Sequence, residues 1–172
     1  PRSATMTVAT IDGAWDVAFP EKLGAPPKIH LAKLESLTVQ PDAGVKFFSG
    51  TATYTKTINA PTAWFRPGAA TILDLGGVCD IAEVFVNGRA LGQLWKEPYQ
   101  IDVTSALRPG ENKIEIKVTN QWTNRIAGDR SAAADQKVLS PAPAGRGGPG
   151  GGAAPALPES GLIGPVTIKL RQ

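Results

Sequence analysis

Apolar side chains recur at every second position in short stretches along this 172-residue chain, and that period constrains the fold more than any other feature. Alternation of this kind belongs to a strand with one buried face, because successive side chains point to opposite sides of a sheet. Trp15, Val17 and Phe19 form the first such stretch. In the next, Ala52, Tyr54 and Ile58 lie on one side and Thr51, Thr53, Thr55 and Thr57 on the other. Tyr99, Ile101 and Val103 alternate with Gln100 and Asp102, and Ile114, Ile116 and Val118 alternate with Lys113, Glu115 and Lys117. Val166, Ile168 and Leu170 repeat the pattern with Thr167, Lys169 and Arg171. From Ile81 to Val86 only Glu83 is polar, which predicts a strand covered on both faces or near the sandwich centre.

Turn signals fall between these stretches. Asn87-Gly88 is the strongest, since both central residues of a type I′ hairpin turn need positive φ. Thr104 is placed to cap a short helical turn through Leu107, and Arg108-Pro109-Gly110 reverses the chain. No long stretch has helical periodicity. Fifteen prolines and nineteen glycines suit many short strands joined by turns. The expected fold is therefore all-β, an antiparallel β-sandwich or jelly roll spanning residues 1–172 as one domain, a length that suits one core and is short for two. Residues 140–158 are almost wholly Pro, Gly and Ala, with Arg146 the only charge, and offer little to offset the entropy of ordering. This segment reads as a surface loop within the domain, because the strand after it is too short to stand alone.

Charge and composition exclude several functions. A net charge of +3, with cations mixed among acids along the strands, is no nucleic-acid footprint. No apolar run reaches the length of a membrane span, and no charged start followed by an apolar segment marks a signal peptide in these residues. Cys79 is the sole cysteine, so no internal disulfide is available, and it reads as a small buried side chain.

Several blocks resemble a known family. Phe48-Ser-Gly-Thr-Ala-Thr-Tyr54, Leu73-Asp-Leu-Gly76, Ile81 to Gly88 and Leu91-Gly-Gln-Leu-Trp95 are similar to the galactose-binding-like β-sandwich near the C-terminus of family 106 α-L-rhamnosidases. The likeness continues through Pro98-Tyr99, Asp102-Val-Thr104, Pro109-Gly-Glu-Asn112 and Asn120 to Asp129, and closes at Ser160 to Val166. The portion from Leu73 to Asn120 also resembles, more loosely, the sugar-binding sandwich of family 2 glycoside hydrolases. The resemblance implies a parent enzyme among secreted or periplasmic bacterial glycoside hydrolases. It also implies that the catalytic acids lie in a separate barrel domain, which needs about 250 residues and does not fit here.

On this reading the chain is a non-catalytic accessory domain whose partners are a carbohydrate, in particular a rhamnose-containing glycan, and the catalytic domain of its parent. Two alternatives remain open: a purely structural scaffold packed against the barrel, and a hydrolase in its own right. Glycoside hydrolysis uses two carboxyl groups set across the scissile bond, and most acids here fall at alternate strand positions or in turns. The single histidine, His30, stands between Ile29 and Leu31 with no Gly-x-Ser-x-Gly elbow to supply a nucleophile, and reads as structural or exposed.

Sugars stack their apolar faces on aromatic rings while nearby polar groups bond the hydroxyls. The best candidate is therefore Trp122 among Asn120, Asn124, Arg125 and Asp129, a segment that reads as a loop after a strand end. The same residues also suit internal roles: Asn120 bonding a neighbouring backbone, Arg125 pairing with Asp129, Trp122 covering the sandwich edge. Trp95 and Tyr99 form a second candidate, although their phase favours core packing. The superfamily also implies a possible structural calcium. Asp12, Asp16 and Asp42 lie in or near candidate loops, and no ligand pattern singles any of them out.

Overall fold

The computed structural model describes residues 5–139 and 156–172, so the Gly/Pro-rich loop expected at 140–158 lies outside the described residues except for its last three. The strands, in order, are β1 Thr5–Thr10, β2 Trp15–Ala18, β3 Lys28–Leu31, β4 Thr51–Ala60, β5 Ala70–Asp74 and β6 Gly77–Cys79. After these come β7 Ile81–Val86, β8 Arg89–Leu94, β9 Gln100–Asp102, β10 Gly110–Thr119, β11 Gly161–Gly164 and β12 Thr167–Arg171. Two helices interrupt them, α1 Ala43–Lys46 and α2 Thr123–Ser131.

The strands form a four-stranded sheet in the order β1-β12-β5-β9 and a six-stranded sheet in the order β3-β2-β4-β10-β7-β8. A short β11-β6 pair joins them, and the ladders are antiparallel. This is the expected antiparallel β-sandwich. The residues predicted to face inward do so: Val17, Tyr54, Val84, Ile116 and Ile168 are all fully buried and belong to one core cluster. The longest ladder runs the ten residues of β4 against the ten of β10, from Gly110 opposite Ala60 to Thr119 opposite Thr51. Its inward pairs set Ala52 against Val118 and Tyr54 against Ile116, so aromatic and β-branched side chains face each other as sheets prefer.

The β7–β8 hairpin turns at Asn87-Gly88 with φ of 52° and 79°, as the type I′ signal predicts. Asn87 also stitches the turn to the sheet, its Oδ1 accepting from the Lys113 amide at 3.0 Å and its Nδ2 donating to Asn112 Oδ1 at 2.8 Å. At the edge formed by β3, the Asp16 carboxylate meets Lys28 at 2.9 Å and His30 at 3.1 Å, and His30 is exposed.

Four expectations need correction. β7 is buried on one face only: Ala82, Val84 and Val86 point inward, whereas Glu83 and Phe85 are half-buried on the outer face beside Gln93 and Lys117. The outer face of the sheet carries no further layer there, so an apolar composition did not mean a double cover. Thr104 does not cap its turn; its Oγ1 accepts from the Thr71 amide at 2.8 Å, and the turn closes through Ala106 and Leu107 amides on Val103 O. Trp95 is 68% exposed, against the core packing expected of it, because β8 ends before it at the sheet margin. The segment after Trp122 is a nine-residue helix rather than a loop.

Gly161 illustrates how closely β11 approaches the six-stranded sheet. Its φ is +94°, and a Cβ there would stand 2.2 Å from the Tyr54 hydroxyl. Gly161→Ala is therefore expected to lower stability by about 2–4 kcal/mol, since backbone strain and overpacking add. Tyr54→Phe, which removes a fully buried hydroxyl lying against the Leu162 backbone, is expected to change stability by less than about 1 kcal/mol. Denaturant melts of both variants check this contrast.

Asp74 at the end of β5 accepts from Lys169 Nζ at 2.5 Å, Gln100 Nε2 at 2.9 Å and the Gly76 amide at 2.9 Å. Burial pushes its carboxyl up, but Lys169, the Gly76 amide and Gln100 outweigh burial and hold it below the ordinary value of 3.8. A depressed folded pKa contributes stability that is present above the unfolded value and lost as pH falls through the folded one. Asp74→Asn is expected to cost about 1–3 kcal/mol at pH 7. The gap to the parent should close as pH falls below 3.8, read from melts across that range.

Candidate functional site

The expected site begins where β10 ends. Asn120 Oδ1 accepts from the Gly50 amide at 2.8 Å, and its Nδ2 donates to Phe48 O at 2.8 Å and to Ser160 Oγ at 2.5 Å. Both amide hydrogens and one of the two acceptor sites of Oδ1 are spent inside the protein. Ser160 in turn takes its place through the Leu37 amide on its carbonyl and its own amide on Ser36 Oγ.

The helix α2 follows at once and has an unusual distribution of polarity. Its buried residues are Asn124, Arg125, Gly128 and Asp129, while Trp122 and Ile126, one turn apart, are 52% and 41% exposed. The helix thus turns its polar side inward and sets an apolar ridge toward solvent, the reverse of the usual amphipathic arrangement. Trp122 provides no side-chain cap at the N-terminus. Ser49, far away in the chain, does so instead: its Oγ accepts from the Arg125 amide at 3.1 Å and donates to Gln121 O at 2.8 Å.

On the inward side, Asn124 Nδ2 donates to Pro158 O at 3.1 Å, which fixes the amide orientation, and its Oδ1 has no partner among the described residues. Arg125 Nε lies 3.1 Å from Asp129 Oδ1 as an ion pair, outside hydrogen-bond geometry. Asp129 accepts from the amides of Val138 at 3.2 Å and Leu139 at 2.8 Å. Burial opposes its ionisation, but the Leu139 and Val138 amides, with Arg125 and Lys137, hold its carboxyl below the usual range.

Two recesses flank this helix. One, of about 60 Å³, is bounded by Asp80, Gln121, Asn124 and Glu159. It has room for about two waters and none for a pyranose, so two carboxylates at its rim do not make a glycosidase cleft. The other is an open groove of about 300 Å³ between α1 and α2, with Arg125 in its wall.

The predicted residues therefore separate. Asn120 and Asn124 border the small recess, Arg125 lines the wider groove and pairs with Asp129, and Trp122 is in the lining of neither. Tyr99 is buried, with its hydroxyl donating to Asp80 O at 3.0 Å, and it approaches the α2 region through Asp80, whose Oδ1 accepts from Gln121 at 3.3 Å. Trp95 stands in solvent with Lys96 Nζ 5.0 Å from its ring. Sequence reasoning missed Ser49, Asp80 and Glu159. Ser49 gives no local signal, because its partners lie 72 and 76 residues away.

Asp16 is committed to Lys28 and His30, Asp42 accepts from the Val45 amide at 3.0 Å as the cap of α1, and among the described residues no three His, Cys, Asp or Glu side chains gather as metal ligands. Nor is any helix among the described residues long and apolar enough to cross a membrane.

Comparison with known proteins fits this architecture. The sandwich superposes on a rhamnosidase from Novosphingobium sp. PP1Y with a TM-score of 0.86 at 42% identity, over 99% of this chain and 16% of that one. A protein of Formosa agariphila named "Putative beta-glucuronidase" is 44% identical over 129 residues, 75% of this chain and 11% of that protein. A Ruminococcus gnavus β-glucuronidase in complex with D-glucuronic acid matches with a TM-score of 0.56 at 19% identity over 67% of this chain and 22% of its own, a likeness of fold alone. The chain thus spans a small part of each of these longer proteins. Residues 40–146 match the family described as glycosyl hydrolase 2 galactose-binding domain-like, and with more than half its length covered, this chain belongs to that family, a galactose-binding-like module of glycoside hydrolases.

Proposed function

We propose that this chain is a non-catalytic accessory sandwich of a family 106 α-L-rhamnosidase-like glycoside hydrolase, held against a catalytic barrel elsewhere in its parent and contacting a rhamnose-containing glycan. The observation that carries this reading is the likeness to the Novosphingobium rhamnosidase, which extends over 99% of the chain at 42% identity. The β-glucuronidase fold match is far weaker, at 19% identity and 67% coverage.

A glycan contact would use Trp122, whose ring is half out in solvent and free to stack on a sugar face. Gln121, its neighbour in the chain, and Asp80, which accepts from Gln121, would supply polar atoms for hydroxyls. No covalent step is assigned to this chain, since the recess holding the two nearby carboxylates is too small for a sugar ring.

The internal commitments of Asn120, Arg125 and Asp129 favour a second reading, in which α2 serves only as a docking ridge and the parent's barrel covers Trp122 and Ile126. The intact parent enzyme is expected to release product from an aryl α-L-rhamnoside and to leave an aryl β-D-glucuronide untouched. The opposite preference would remove the rhamnosidase assignment. For the sugar contact, Trp fluorescence of the chain should show saturable quenching with rhamnose oligosaccharides. That response should fall at least fivefold in Trp122→Ala while the melting temperature holds. An unchanged titration in the variant would remove Trp122 as the contact, and no response to any glycan would leave the scaffold reading standing.

A further inference from the structure

Six large apolar side chains are exposed among the described residues, and four of them, Ile81, Trp95, Trp122 and Ile126, gather at one end of the six-stranded sheet. The β7–β8 ladder pairs Glu83 with Gln93 and Ala82 with Leu94, so Ile81 and Trp95 are the next positions along it. On its other side Ile81 pairs with Thr119, and Trp122 follows three residues later, a span of at most about 11 Å. Ile126 lies one turn of α2 beyond Trp122. Single exposed apolar residues need no explanation, but a gathered set marks a contact site.

Asp80, the residue before Ile81, ties this end together: its carbonyl accepts from the Tyr99 hydroxyl at 3.0 Å and its Oδ1 from Gln121 at 3.3 Å. It also borders the recess of about 60 Å³, whose lining includes Glu159 and contains no lysine or arginine. Neither carboxylate forms an ion pair among the described residues. Asn124 lines the same recess, is 3% exposed, and keeps its Oδ1 without a partner while Nδ2 is held by Pro158 O. A buried acceptor without a donor is costly. The apolar set therefore surrounds a small recess that holds negative charge and a spare acceptor, with no cation of this chain to meet them.

We propose that this end of the sheet is the seat of the remainder of the parent chain, which covers Ile81, Trp95, Trp122 and Ile126 and places one cationic side chain in the recess between Asp80 and Glu159. The matching part is 16% of the rhamnosidase and 11% of the Formosa protein, so most of each relative lies outside it and is available as a covering surface. An ammonium head is about the size of a water, which the recess admits. Opposite charge across a contact of this kind fixes its register. A calcium ion takes six to eight oxygens, and two carboxylates with one amide oxygen fall short of that. The inference rests on the docking reading of α2 given above and extends it to β7, β8 and the recess.

Hydroxyl-radical labelling of the intact parent enzyme without glycan tests it, each rate being taken relative to the guanidinium-unfolded parent. Trp95 and Trp122 should be slowed at least fivefold, more than their 68% and 52% exposure in the uncovered sandwich accounts for. Carbodiimide coupling at Asp80 and Glu159 should be slowed to a similar degree. Glu159 is exposed, so Glu159→Arg leaves the core intact and sets two cations face to face. In that variant of the parent both tryptophan rates should rise at least threefold. Unchanged rates in the variant, or free reaction of Trp95 and the two carboxylates in the parent, would overturn the proposal. Carboxylate protection lost on adding a chelator would assign the recess to a metal ion, and protection that fades on dilution would assign the face to a second copy; either result also overturns it. Slowing of Trp122 with Trp95 left reactive would sink this inference and keep the docking of α2, whereas free reaction of Trp122 would remove the docking reading itself.

Discussion

One carboxamide ties together the start of β4, the end of β10 and the approach to β11 beside the helix α2. Asn120 reaches Phe48 and Gly50 across 72 and 70 residues of sequence and Ser160 across 40, using donor and acceptor atoms together. Each bond is individually modest, but a buried polar group left without its partners would lose about 1–3 kcal/mol. Because these bonds set the entry of β4, the exit of β10 and the approach to β11 at once, the placement of α2 follows from them. The serine that caps the helix, Ser49, lies between Phe48 and Gly50, so the same amide that joins the strands also fixes the helix terminus.

The strands were legible in the sequence because each needs only one buried face, and a period of two records that directly. Trp15, Val17, Ile114, Ile116, Ile168 and Leu170 all lie where alternation puts them. Helix α2 was not legible, for a physical reason: its inward side is Asn124, Arg125, Gly128 and Asp129, so no apolar period exists to find. The cluster of polar residues around Trp122 could be located from sequence, but not the direction in which each side chain is spent. That depends on amides of Val138 and Leu139 and carbonyls of Phe48 and Pro158, which carry no residue-type signal. Trp95 and Tyr99, four residues apart, diverge between solvent and core because β8 ends between the sheet and the former.

A polar inner face and an apolar outer ridge on one short helix divide the possible contacts of the molecule. The inner side is bonded to Pro158, Val138 and Leu139 and belongs to the fold itself. The outer ridge of Trp122 and Ile126 has no internal function, and its exposure is what a contact with a ring or with a neighbouring domain requires. Both belong to a chain that spans 16% of the length of its rhamnosidase neighbour.

The margin formed by β3 bears on how such a module behaves beside copies of itself. The strand is four residues long, follows two prolines that lack amide donors, and carries Lys28 and His30 gathered on Asp16. Pro27 has already given its carbonyl to the Phe19 amide. A foreign strand seeking to extend the six-stranded sheet there would meet charge, few free donors and little length, so this border resists self-association and leaves recognition to the faces.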